Sequence, residues 1–160
     1  MEPLFGPWRM QFILEHRDAA NPCVLCEVPR APSDREGLIV CRGEACYVLL
    51  NLYPYNSGHL MVVPYRHVDT LGALDAAERR ELLELLARGE AVLAQEYGAQ
   101  GFNVGANLGA VAGAGIPGHV HFHLLPRWQG DTNFLPIFGR TKSIPESLQD
   151  TYDRLKGAWK

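Results

Sequence analysis

The sequence predicts an antiparallel α+β fold in which strands joined mostly by short turns surround one long helix. Three observations carry that expectation. Short apolar runs are separated by turn residues, as where Arg42-Gly43-Glu44 divides Leu38-Ile39-Val40 from Cys46-Tyr47-Val48-Leu49-Leu50. One long stretch, from Asp75 to Gly98, has leucines at helical spacing with charges between them. Near the C-terminal third, His119-Val120-His121-Phe122-His123-Leu124-Leu125 alternates polar and apolar residues with the period of a strand.

Taken in order, residues 1–36 read as an N-terminal arm, with Trp8 to Leu14 as a short helix or extended segment. A turn-rich knuckle follows around Cys23 and Cys26, between Asn21-Pro22 and Pro29 and Pro32. The two apolar runs from Leu38 to Leu50 form a hairpin. Asn51 to Gly58 is a polar connection holding Pro54 and an Asn56-Ser57-Gly58 turn. His59-Leu60-Met61-Val62-Val63-Pro64 is the next strand, ended by its proline.

Asp75 then caps a helix, with Glu78 three residues on to complete a capping box and Gly98 to close the end. Leu82, Leu85, Leu86, Val92 and Leu93 give it one apolar face, so it is read as a packing element without chemistry of its own. Phe102 to Asn107 alternates as a strand and leads into a loop, Asn107 to Gly118, made almost entirely of glycine and alanine. The histidine strand comes next. Residues 135–160 form a C-terminal extension, in which Ser143-Ile144-Pro145-Glu146 reads as a capping box opening a helix to about Lys156. No repeat or domain-sized linker interrupts residues 1–160, which are read as one domain.

Composition narrows the function classes. Apolar residues make up 47% of the chain and charged residues 21%, the profile of a soluble globular protein. A net charge of −3 argues against a broad nucleic-acid footprint. No apolar run approaches a membrane span, and the first residues lack the basic-then-apolar pattern of a secretory signal, so the cytoplasm is the expected compartment. In a reducing compartment, a Cys-x-x-Cys pair such as Cys23 and Cys26 binds metal or does redox work. The prolines around it favour metal, because a thioredoxin-like pair sits at a helix start after a strand.

On extended backbone His119, His121 and His123 point to one side, opposite Val120, Phe122 and Leu124. Such a row can be structural, can ligate a metal through His-x-His spacing, or can present one imidazole as a nucleophile. The loop upstream favours the third reading, since nearly bare backbone lets N–H groups approach an anion closely.

These residues resemble a known family. His119-Val120-His121-Phe122-His123-Leu124-Leu125 is similar to the motif of the histidine-triad superfamily. Asn51-Leu52-Tyr53-Pro54-Tyr55-Asn56-Ser57-Gly58-His59-Leu60-Met61-Val62-Val63-Pro64 looks like that superfamily's nucleotide-binding strand-turn-strand. Pro126-Arg127-Trp128 with Gly130-Asp131-Thr132-Asn133-Phe134 resembles the branch of diadenosine tetraphosphate phosphorylases and related nucleotide hydrolases. The likeness spans roughly residues 8–156, and it rests on separated motifs. It implies a five-stranded antiparallel sheet, a homodimer, and hydrolysis or transfer of nucleoside monophosphates from a nucleoside or dinucleoside polyphosphate.

Carried over to this chain, the resemblance makes His121 the nucleophile that attacks the α-phosphorus and forms a covalent nucleotidyl-histidine. Water or phosphate then resolves that adduct. His123 would hold phosphate oxygens or assist proton transfer, and His59 would stand behind the nucleophile. Asn51 would bond the ribose with Leu52 beside it, Asn107 a phosphate oxygen, and the backbone at Gly115 and Ile116 would face the phosphates. Packing is the structural alternative for His59, and an ordinary turn asparagine for Asn51 and Asn107. The chain departs from many relatives in Ala114-Gly115-Ile116-Pro117-Gly118, which has no hydroxyl or amide side chain to help the leaving group.

The resemblance also implies a structural zinc held by Cys23, Cys26, His67 and His119, with no open coordination position and no organic cofactor. The rival ligand set, plausible by spacing, is Cys23, Cys26, Cys41 and Cys46. Arg127 and Lys142 are the candidate cations for a polyphosphate tail, while Trp128 and Phe134 either stack on a base or pack. Two other function classes compete: a nucleotide-binding interaction protein with little turnover, and a metal-dependent oxygenase. The oxygenase would need a carboxylate or glutamine ligand that the histidine strand does not offer.

Overall fold

A computed structural model describes residues 23–131 and 144–159 of the chain. Five strands form one sheet: β1 (Ile39–Arg42), β2 (Cys46–Leu50), β3 (Leu60–Pro64), β4 (Gly101–Gly105) and β5 (Phe122–Arg127). Their order is β1-β2-β3-β5-β4, and every neighbouring pair is antiparallel. The histidine strand therefore lies inside the sheet, with His123 opposite Met61 on β3 and opposite Gly105 on β4.

Alternation along the strands splits the core into two layers. Val48, Leu50, Leu60, Val62, Val120 and Leu124 face one side, where they meet Leu82, Leu85, Leu86 and Leu93 of the long helix. Ile39, Tyr47, Leu49, Met61 and Val63 face the other, where Leu25 of the cysteine knuckle closes over them. The knuckle is a single helical turn, α1 (Val24–Glu27), and the Tyr47 hydroxyl donates to its Leu25 carbonyl at 2.6 Å.

The long helix, α2 (Ala76–Tyr97), starts and stops where the sequence says. Asp75 accepts from the Glu78 N–H at 2.9 Å, and Glu78 accepts from the Asp75 N–H at 2.7 Å. Gly98 closes the helix in the left-handed conformation. The Arg66 guanidinium donates twice to Glu78 and holds its carboxyl down at about 2. Glu81, one turn on, accepts the N–H groups of Glu44, Ala45 and Cys46 at 2.6–2.9 Å, so the β1–β2 hairpin is tied to the helix. Gly89 brings the helix close to the sheet, since a β-carbon there would meet Leu124 Cδ2 at 2.8 Å.

Several boundaries differ from expectation. The expected His59 strand begins at Leu60, and the expected histidine strand joins the ladder only at Phe122. Before it, Val120 N–H bonds the Val68 carbonyl at 2.7 Å instead of a strand neighbour. The C-terminal helix, α3 (Leu148–Ala158), is capped by Ser147, whose side chain accepts the Asp150 N–H. The helix thus starts later than expected, and the Glu146 carboxylate is engaged by other side chains. It accepts from Tyr97 at 2.5 Å, Thr151 at 2.9 Å and Arg154 at 2.8 Å. Trp8 to Leu14, Phe134, Lys142 and Ser143 lie outside the described residues. No described helix is long and apolar enough to cross a membrane.

Candidate active site

On the knuckle side of the sheet lies a cavity of about 220 Å³. Asn51, Leu52, Asn107, Gly115, Ile116, His121 and His123 all line it, although they come from three separate stretches of chain. The β2–β3 connection brings Asn51 and Leu52, the glycine-rich loop brings Asn107, Gly115 and Ile116, and the start of β5 brings the histidines. The rest of the wall is apolar, with Val24, Leu25 and Val28 of the knuckle opposite Leu49 and Met61 of the sheet. Sequence reasoning missed this wall, because nothing local says that the knuckle folds over the sheet. A larger cavity of about 600 Å³ beside Tyr97, Trp128 and Arg154 contains no histidine and none of these residues.

The hydrogen bonds fix the tautomer of each imidazole. His121 is 5% exposed, and its Nδ1–H donates to the carbonyl oxygen of His119 at 2.8 Å. A carbonyl only accepts, so the ring hydrogen sits on Nδ1 and the lone pair on Nε2. Burial holds this imidazole below its ordinary pKa, so it is neutral at pH 7.

His59 is fully buried and accepts the Tyr55 N–H at Nδ1, 3.1 Å away. Its hydrogen is therefore on Nε2, which donates to His123 Nδ1 at 2.9 Å. That in turn leaves His123 with its own hydrogen on Nε2. Burial, with a smaller push from His123, brings His59 down to about 3, so His59 is neutral at pH 7. Here the geometry corrects an expectation: His59 backs His123, not the middle histidine. The Tyr55 ring lies 4.8 Å from His59 and 6.1 Å from His123, and covers both.

His119 turns to different partners. Its Nε2–H donates to the Pro64 carbonyl at 2.9 Å, which leaves the Nδ1 lone pair facing two thiols. Cys23 Sγ is 3.4 Å from that nitrogen and Cys26 Sγ 3.5 Å, while Cys26 Sγ is 3.3 Å from His67 Nδ1. All four donor atoms lie within 4.8 Å of one another. Ligands of a tetrahedral zinc stand roughly 3.3–3.8 Å apart, given the usual Zn–S and Zn–N lengths. The donor set and the His119 tautomer thus fit a closed site. The all-cysteine alternative fails geometrically: Cys46 is buried in β2, its thiol is 3.8 Å from the Glu78 carbonyl, and burial pushes it up to about 12.

Asn51 accepts the Tyr53 N–H at 2.9 Å, an asparagine turn at the cavity rim. Arg127 is engaged by the Asp131 carboxylate and by Asn103, and it does not line the cavity, so it is not the expected cation. Trp128 packs, donating from Nε1 to the Tyr97 carbonyl at 2.9 Å.

Comparison with known proteins adds the following. A family model described as HIT domain matches residues 33–130. An AP-4-A phosphorylase of Mycobacterium tuberculosis is 44% identical over 166 aligned residues, spanning 99% of this chain and 85% of that protein. An uncharacterized HIT-like protein of Methanocaldococcus jannaschii is 29% identical over 84% of this chain and 99% of its own. Among solved structures, a Zn-bound histidine triad family protein from Mycobacterium smegmatis superposes with a TM-score of 0.69 at 22% identity, covering 86% of this chain and 92% of that one. A hypothetical histidine triad nucleotide-binding protein from Sulfolobus tokodaii gives a TM-score of 0.70 at 24% identity, over 86% and 91% of the two chains.

Proposed function

This chain is an enzyme of the HIT domain family, and from that premise we propose that it cleaves a mononucleoside or dinucleoside polyphosphate through a covalent nucleotidyl-His121 intermediate. The observation that carries the proposal is the commitment of His121 Nδ1–H to the His119 carbonyl, which leaves a neutral Nε2 lone pair on a ring that lines the cavity. In this reading Nε2 attacks the α-phosphorus, the P–N bond forms, and the P–O bond to the leaving phosphate breaks. The ring becomes cationic as it attacks, and the carbonyl at Nδ1 stabilises that charge.

His123, whose hydrogen is placed on Nε2 by His59, donates to a non-bridging phosphate oxygen. Backbone N–H groups at Gly115 and Ile116 bind the others. In the second half, water or inorganic phosphate attacks the adduct, and His121 leaves as a neutral imidazole once the acceptor has lost its proton. The loop from Ala114 to Gly118 lacks a hydroxyl that could protonate the leaving oxygen. A polyphosphate tail needs little such help, because a phosphate monoester loses its second proton near pH 6.

The name of the M. tuberculosis relative favours diadenosine tetraphosphate as substrate and phosphate as acceptor. Asn51 and Leu52 are assigned to the ribose and Asn107 to a phosphate oxygen. Zinc at Cys23, Cys26, His67 and His119 would hold the knuckle to the sheet and supply no chemistry, because all four positions are filled by protein. A homodimer fits the free edge of β4, where Val104, Leu108 and Val111 are exposed among the described residues.

The test is incubation with diadenosine tetraphosphate, with and without phosphate, followed by separation of AMP, ADP and ATP. ADP that forms only with phosphate identifies a phosphorylase, and AMP with ATP a hydrolase. Tight binding with no products would instead establish the interaction protein without turnover.

A further inference from the structure

The Cys/His cluster and the cavity share two pieces of backbone. His119 contributes its ring to the cluster, and the carbonyl of the same residue receives the His121 Nδ1 hydrogen at 2.8 Å. Val24 and Leu25 stand between Cys23 and Cys26, and both line the cavity, as does Val28 just beyond. The knuckle is therefore one surface with ligand thiols on one side and the apolar wall of the cavity on the other.

That wall is held to the sheet by the packing of Leu25 and by few hydrogen bonds. Its helix is four residues long and has no side-chain cap. A single turn fixes several backbone dihedrals for very few hydrogen bonds, so it is unfavourable by itself. Among the described residues, the sheet reaches the knuckle backbone through Tyr47 to the Leu25 carbonyl and through Arg42 to the Pro29 carbonyl just beyond the turn. Bonds from Cys23 and Cys26 to an ion shared with His67 and His119 would tie the turn to the segments that follow β3 and precede β5.

We propose that metal occupancy of the Cys23, Cys26, His67 and His119 cluster sets the nucleotide affinity of the cavity. With an ion bound, the knuckle wall and the His119 carbonyl are held where a nucleotide meets them. With the ion removed, both loosen and nucleotide binding weakens. This inference rests on the nucleotide reading of the cavity, and it adds a control that reading does not contain. Linkage makes it reciprocal, so a bound nucleotide tightens metal binding by the same factor.

Calorimetric titration of AMP into zinc-loaded and chelator-stripped protein tests it, with circular dichroism to follow the fold. The expected result is an AMP Kd at least about fivefold weaker in the stripped form, with zinc affinity raised by the same factor at saturating AMP. Equal AMP affinity in the two forms overturns the inference and leaves the nucleotide reading intact. If AMP does not bind the zinc-loaded protein, the nucleotide reading falls and takes the inference with it. Should stripping unfold the chain, His67→Ala replaces it, since His67 is exposed and outside the cavity lining. AMP affinity of that variant should rise with added zinc in step with occupancy, and an affinity independent of zinc overturns the inference.

Discussion

His119 and His121 are two residues apart and similarly buried, and each donates one ring hydrogen to a backbone carbonyl. They differ in which nitrogen donates. His119 gives its Nε2 hydrogen to Pro64 and keeps the Nδ1 lone pair for the thiols. His121 gives its Nδ1 hydrogen to His119 and keeps the Nε2 lone pair for the cavity. Identical side chains two residues apart thus present different ring nitrogens as lone pairs through the choice of carbonyl. One resembles a metal ligand with its outer partner in place, and the other a nucleophile.

The largest expected effect follows from removing the second of these rings. His121→Ala should lower turnover of diadenosine tetraphosphate by roughly four orders of magnitude or more while AMP binding survives. A variant that keeps a tenth of the activity would end the distinction between the two histidines. On the other ring, Cys26→Ala should weaken zinc binding by roughly 10–100-fold or more, measured by chelator competition, whereas Cys46→Ala leaves zinc stoichiometry unchanged. An equal loss in both would restore the all-cysteine site.

His59→Phe, which removes the donor to His123, should reduce kcat by roughly 10–100-fold, on the scale of an outer partner that orients a working ring. It should also change the response to acid. His59 titrates at about 3 in the fold and near 6.5 when unfolded. Between those values the unfolded chain binds the extra proton, so stability is full above the upper value and is lost as pH falls toward the lower. Urea melts across that range should show a shallower acid slope for the phenylalanine variant. The smallest effect belongs to Arg127→Ala. Its guanidinium is committed to Asp131 and Asn103, so kcat/KM should move by less than about twofold.

The period of the apolar residues made the sheet and the long helix legible, down to the Asp75–Glu78 capping box and Gly98. Contacts across long stretches of chain were not legible. Nothing near His59 says that it meets His123 rather than His121, since that depends on strand order. Cysteine spacing left two ligand sets open, and the fold gathers Cys23 and Cys26 with His67 and His119 while Cys46 is buried in β2. The C-terminal helix is expected to open at Ser143-Ile144-Pro145-Glu146, whereas it starts at Leu148 with Ser147 as its cap. Glu146 is taken by Tyr97, Thr151 and Arg154, side-chain partners that no local pattern announces.

Gly89 has a consequence for anyone who would engineer this molecule. Replacing a mid-helix glycine by alanine ordinarily gains about 1 kcal/mol of helix propensity. Here the added methyl would press on Leu124 at 2.8 Å and on the Trp159 ring at 3.3 Å. Leu124 is the immediate neighbour of His123, so the routine stabilising substitution would press on a side chain of the strand that carries His123. The longest helix keeps a soft spot in its middle, and a thermostabilised version of this protein will have to be sought elsewhere on its surface.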